Sequence, residues 1–107
     1  MEIDDYAEKA METCLPSADN MHYAMSLIAS EAGEINGWWS KVIRDHDGEI
    51  PDEIATLMDK EAGDILWGLA LYARKREKQL SEFAQANLDK LASRASRGVI
   101  GGSGDNR

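Results

Sequence analysis

The stretches "EAGEING" (Glu31–Gly37) and "EAGDILW" (Glu61–Trp67) share one pattern, acid-Ala-Gly-acid-Ile, thirty residues apart. Each sets two carboxylates three residues apart inside a run that otherwise reads as buried helix, so each pair lies on one side of its helix. At about 100° per residue, Ile54, Leu57, Met58, Ile65, Gly68 and Tyr72 fall within roughly 60° of Glu61, with Asp64 at the edge. Glu61 is therefore at the centre of an apolar stripe. In the earlier run Met21, Ala24, Ile28, Ile35, Trp39 and Val42 define the stripe, Glu31 sits on its shoulder and Glu34 lies one step further out.

An ionised carboxylate facing a core loses on the order of several kcal/mol in desolvation unless something neutralises it. Residues 21–73 offer only Lys41, Arg44 and Lys60 for that purpose. Four acids converging from two helices are better explained by bound divalent cations. The ligand set is all oxygen, which suits Mg²⁺ or Mn²⁺ rather than zinc, or a di-iron site that would need Glu-x-x-His. The alternative for Glu34 and Asp64 is a solvated helix face. Gly33 and Gly63 each cost about 1 kcal/mol against Ala inside a helix. Close approach of another helix would explain them; simple tolerance is the alternative.

The elements that must position these acids are helical, because Ala, Leu, Met, Glu and Lys dominate and alternating β-branched runs are missing. The pattern predicts a short helix over 3–14 closed by Pro16, and a second over 20–43 with Asn20 as N-cap. A turn-rich loop follows over 44–51. A third helix is opened by Pro51, with Asp52 and Glu53 in its first turn, and runs to Arg76. A fourth, capped by Ser81, ends near Arg97 at Gly98. Four helices joined by short loops predict an all-α, antiparallel four-helix bundle. It forms one domain over 1–107, with an N-terminal helix and turn over 1–19 and a Gly-rich tail over 98–107 that composition alone would leave frayed.

The net charge of −8 argues against a nucleic-acid binder working by phosphate neutralisation. That total hides an asymmetry. Residues 1–73 hold sixteen acids and four bases, net −12, whereas residues 74–107 hold four acids and eight bases, net +4. The single Cys14 excludes an intrachain disulfide and suits a reducing cytoplasm, where it reads as a small packing or surface residue. The acidic start has no apolar h-region, and no apolar run is long enough to span a bilayer, so neither a signal peptide nor a membrane partner is expected. His22 and His46 lack ligand-spaced partners and are expected at the surface.

The two acidic motifs, with "GDILWGLALYA" and "NLDKLASRASRGVIGGSGDNR", resemble the MazG-like branch of the all-α nucleoside triphosphate pyrophosphohydrolases, over residues 21–107. The resemblance implies a helical bundle assembled as a homodimer or homotetramer. It also implies Mg²⁺-dependent cleavage of nucleoside triphosphates to monophosphate and pyrophosphate. By the same resemblance Glu31, Glu34, Glu61 and Asp64 are the metal ligands, and Asn87 and Lys90 approach the phosphates. The first motif begins with Ser30 where many members carry a second Glu, so no role needing a fifth carboxylate is carried over. The tail is implied to fold over the active site of its own or a neighbouring subunit.

The residue pattern agrees at one place. Asn87, Lys90, Arg94 and Arg97 recur every three or four residues, so one side of the fourth helix presents an amide and three cations, a lining suited to a triphosphate. Lys41, two turns after Glu34, is a further phosphate candidate, and Trp38, off the main stripe, is the candidate for stacking a base. The expected catalytic set is Glu34 accepting a proton from water, Glu61 holding metal, and Lys90 with Arg94 stabilising the leaving pyrophosphate. Two other readings fit the same residues: a deoxyuridine di- and triphosphatase using the same acids, and a non-catalytic acidic helical module.

Overall fold

The computed structural model describes all of residues 1–107 and contains helices with no strand. Helix α1 spans Ile3–Met11, α2 Met21–His46, α3 Asp52–Lys75 and α4 Leu80–Ser96, with one short 3₁₀ turn over Pro16–Ala18. The first helix stops three residues before the predicted Cys14. The second runs three past the predicted Ile43, ending where Asp47 turns left-handed at φ 53°.

Local chemistry accounts for most of these ends. The Asn20 side chain accepts the Tyr23 N–H at 2.7 Å, the expected N-cap of α2. Pro51 stands just before the first turn of α3. Gly98, at φ 71°, closes α4 by letting the Val99 N–H reach back to the Arg94 carbonyl at 2.9 Å. Ser81 is not the cap of α4. That helix starts after Gln79, whose backbone N–H is taken by the Glu82 carboxylate at 2.7 Å. Ser81 instead donates its N–H and its hydroxyl to the two carboxylate oxygens of Asp4, at 2.9 and 2.5 Å, so the first turn of α4 is satisfied by α1.

Helices α2 and α3 form the main packing unit. Gly68 meets Ile28 while Glu61 lies with Glu31 and Glu34, so the two run antiparallel. Gly68 is the close-contact glycine of the pair: a Cβ there would stand 2.9 Å from Ile28 Cγ1. Around Gly33 and Gly63 nothing lies within 4 Å, so the helix approach expected at those two positions does not occur within the chain. Helices α1 and α4 pack on each other and on the C-terminal part of α3. There Ala70, Ala73 and Leu80 are enclosed by Tyr6, Ala7, Met11, Leu66 and Phe83.

One chain buries little. Its radius of gyration is 16.6 Å, where a compact domain of this length has about 13 Å. Its accessible surface is 7433 Å², where a compact monomer of this mass exposes about 5,900 Å². The surplus includes large apolar side chains: Met25, Trp39 and Ile43 along α2, and Leu88 and Leu91 on α4. Trp39 was expected in the buried stripe of α2; at 38% exposed it faces out, and Trp38 is the half-buried one. No helix is long and apolar enough to cross a membrane.

Candidate metal centre

Helix α2 delivers Glu31 and Glu34, and α3 delivers Glu61 against them. One carboxylate oxygen from each lies within 4.8 Å of the others. Glu31 and Glu61 are half-buried and Glu34 is exposed, the order expected from their places on the wheel. One oxygen of Glu31 and one of Glu61 are buried with no hydrogen-bond partner. A buried acceptor left unpaired is costly, and no cation of the chain forms a salt bridge with any of the three.

The electrostatics follow. Hydrogen-bonding contact with Glu61, and then its charge, raises the Glu34 carboxyl above its ordinary value. Contact with Glu31 raises Glu61, with burial and the charges of Glu31 and Asp64 adding to it. A divalent cation held by the three would relieve all of these at once, supplying the charge and pairing the orphaned oxygens. The donor set, three carboxylates from two rigid helices, suits a hard ion such as Mg²⁺ or Mn²⁺.

Asp64 stands apart from this triad. It lines a neighbouring pocket of about 280 Å³ with Tyr23, Leu27, Glu31 and Trp67. It is near enough for its charge, after burial, to raise the Tyr6 phenol, and it adds to the rise at Glu34 and Glu61. The Trp67 indole N–H is held by the Ala10 carbonyl at 3.1 Å and the Thr13 hydroxyl at 2.9 Å, so α1 and its C-terminal turn fix that wall.

The cationic residues fall elsewhere. Lys41 is exposed, with its ammonium 4.5 Å from the Trp38 ring centre. Asn87 is exposed on α4. Lys90 Nζ and an Arg94 nitrogen converge on the same oxygen of Asp105, at 3.2 and 3.1 Å. Arg97 donates to the Ser93 hydroxyl and to the Arg107 backbone oxygen. No hydrogen bond or salt bridge joins this basic face to the triad within one chain.

The tail is ordered by these contacts. The Arg107 guanidinium donates to the carbonyls of Val99, Ile100 and Gly104, and Asp105 answers Lys90 and Arg94. The segment that composition leaves frayed therefore packs on its own α4. Arg94 is buried, and its Nε has no partner. Four structural features had little sequence signal: the Tyr23–Trp67 pocket, the Asp105 contact, the Asp4 bond to Ser81 and the tight fit at Gly68. Glycine on the apolar stripe was the only hint of the last.

The class these features define is an all-helical protein whose central antiparallel pair carries a carboxylate triad. The chain is 39% identical, over an alignment of 114 positions spanning the whole of both chains, to "Gene 37 protein" of Mycobacterium phage L5, and it belongs to that protein's family. No protein-family model matches it, and no solved structure does.

Proposed function

We propose that the protein is a Mg²⁺-dependent nucleotide pyrophosphohydrolase of the MazG-like all-α type, cleaving (deoxy)nucleoside triphosphates to monophosphate and pyrophosphate. The observation that carries this reading is the Glu31–Glu34–Glu61 triad, with two buried carboxylate oxygens that lack any partner in the chain. Glu31 and Glu61, the half-buried pair, would hold the ion, and Asp64 would add charge nearby. When bound, the ion supplies Lewis acidity to the phosphate chain and acidifies water. Glu34, exposed and with its carboxyl raised, is placed to take the proton of the attacking water.

Lys90 and Arg94 already converge on one anionic oxygen, the geometry a departing pyrophosphate needs. Asn87 and Arg97 flank them on the same face. Because that face does not meet the triad within one chain, we assign it to the triad of a second copy, in a homodimer or a larger even assembly. The surplus exposed surface and the bare apolar residues of α2 and α4 support such an assembly.

The test is incubation with each nucleoside triphosphate and Mg²⁺, with products separated by ion exchange. Monophosphate plus pyrophosphate is the expected outcome. Diphosphate plus orthophosphate as first products from every substrate would reject the reaction. Equal turnover of deoxyuridine di- and triphosphate, with no other substrate, would favour the deoxyuridine-specific variant.

A further inference from the structure

The acidic triad opens on one side into an adjoining pocket, with Glu31 shared between them. The pocket beside it is walled by Tyr23 and Leu27 from α2 and by Trp67 from α3, and its polar rim is Glu31 and Asp64. We propose that this pocket seats the base of the nucleotide, with sugar and phosphates leaving across Glu31 toward the triad; the assignment rests on the nucleotide reading above.

Four observations argue for it. First, a volume of about 280 Å³ lies just under the range of sites for whole small molecules, room for a ring system and not for a whole triphosphate. Second, the walls are preorganised. Trp67 is pinned by its two indole hydrogen bonds, and Tyr23 meets it edge-on, with ring centres 6.4 Å apart and planes at 79°. A base stacked on one ring presents its rim to the other. Third, the Tyr23 hydroxyl makes no hydrogen bond within the chain and is free to bond a base. Fourth, the aromatic residue favoured on sequence grounds, Trp38, already has the Lys41 ammonium over its face.

Two measurements on the intact protein decide the matter. In the first, cytidine, adenosine and uridine are titrated without phosphate, following the indole N–H resonances of the three tryptophans. The Trp67 signal should move saturably with these nucleosides, while those of Trp38 and Trp39 stay. A Trp67 signal that no nucleoside moves, or one outpaced by Trp38, overturns the assignment. In the second, Tyr23→Leu keeps apolar bulk at an exposed ring and should raise KM for the triphosphates about tenfold. Inhibition by tripolyphosphate, which has no base, should be unchanged. Equal weakening of tripolyphosphate would also overturn the base pocket. Turnover separates the two readings. Mg²⁺-dependent hydrolysis with a silent Trp67 rejects the pocket alone, and a responsive Trp67 without hydrolysis of any triphosphate rejects the reaction alone.

Discussion

At the α2/α3 contact three carboxylates face one another with no cation among them, whereas on α4 two cations share the single carboxylate of Asp105. Both regions concentrate charge in a chain with little interior. In the first, the acids sit on long helices whose packing leaves Glu31 and Glu61 half-buried, and nothing nearby can neutralise them. In the second, a glycine-rich segment brings its own counter-charge back to the helix, and Asp105 remains mostly exposed. The difference separates acids with no counter-charge in the chain from cations that already have one. Buried oxygens of Glu31 and Glu61 lack partners, whereas Lys90 and Arg94 find theirs on a glycine-rich segment.

The largest expected effect breaks the acidic side. Glu61→Gln removes a charge from the centre of the triad and should lower Mg²⁺-dependent hydrolysis by at least about a hundredfold. It also removes like-charge repulsion, so the metal-free protein should melt at the wild-type temperature or above it. Calorimetry with and without Mg²⁺ checks both halves. A variant that melts well below wild type, with Mg²⁺ indifferent for both proteins, would mean that the acids are purely structural.

A smaller effect concerns the frame that holds the triad. Gly68→Ala drives a Cβ against Ile28 Cγ1, which lies mid-chain and close to its own backbone. Such overpacking costs about 1–3 kcal/mol, offset in part by a helix-propensity gain of about 1 kcal/mol. Gly63→Ala has open space in the chain and should be neutral or stabilising by chemical denaturation. If it instead destabilises, or drives the sedimenting species down to 11.8 kDa, the approach predicted for Gly63 is made by a second copy.

These cases show what could be read ahead of the structure. Helix type, the Asn20 and Gly98 ends and the shared side of Glu31 and Glu34 depend on spacing along one helix, which the sequence displays directly. Glu61 meets that pair because both lie on or beside the apolar stripes that pack α2 on α3. Asp64 was grouped with the triad because the wheel places it three residues from Glu61. Where its side chain lies depends on how α1 and α2 flank α3, and that is not a property of α3. Trp39 was placed inward for a related reason: a stripe drawn from one helix is wider than the strip its partner covers. Ser81 had the right type for a cap, yet Asp4, 77 residues away, decided its role. Asp105 lay in a segment whose composition hides any pairing.

On the basic side, Asp105→Asn should free Lys90 and Arg94 for an outside anion, since both now bond its carboxylate. Tripolyphosphate should bind several-fold tighter, read by calorimetry at fixed ionic strength, and residues 98–107 should exchange amide hydrogens faster. Unchanged exchange with unchanged affinity would show that the carboxylate neither holds the tail nor competes for the cations.

The smallest effect uses pH to set the two regions against each other. Glu34 and Glu61 have carboxyls raised in the folded state, Glu34 chiefly by contact with Glu61 and Glu61 chiefly by contact with Glu31. Without a divalent ion, the folded protein takes up protons there before the unfolded chain does. Stability should therefore rise as pH falls from neutral through those raised values, and level off at the ordinary glutamate range. Asp105 has the opposite sign: hydrogen bonds from Arg94 and then Lys90 hold its carboxyl below the usual range. Its contribution is complete above the ordinary aspartate value and is lost as pH falls through the lowered one. Acidification should thus raise the melting temperature first, while the tail keeps its amide protection, and release the tail only at lower pH. Saturating Mg²⁺ should abolish the first change, because the ion keeps the triad ionised, and leave the second in place. A tail that loosens together with the triad's protonation would mean that the two regions are one coupled site within the assembly.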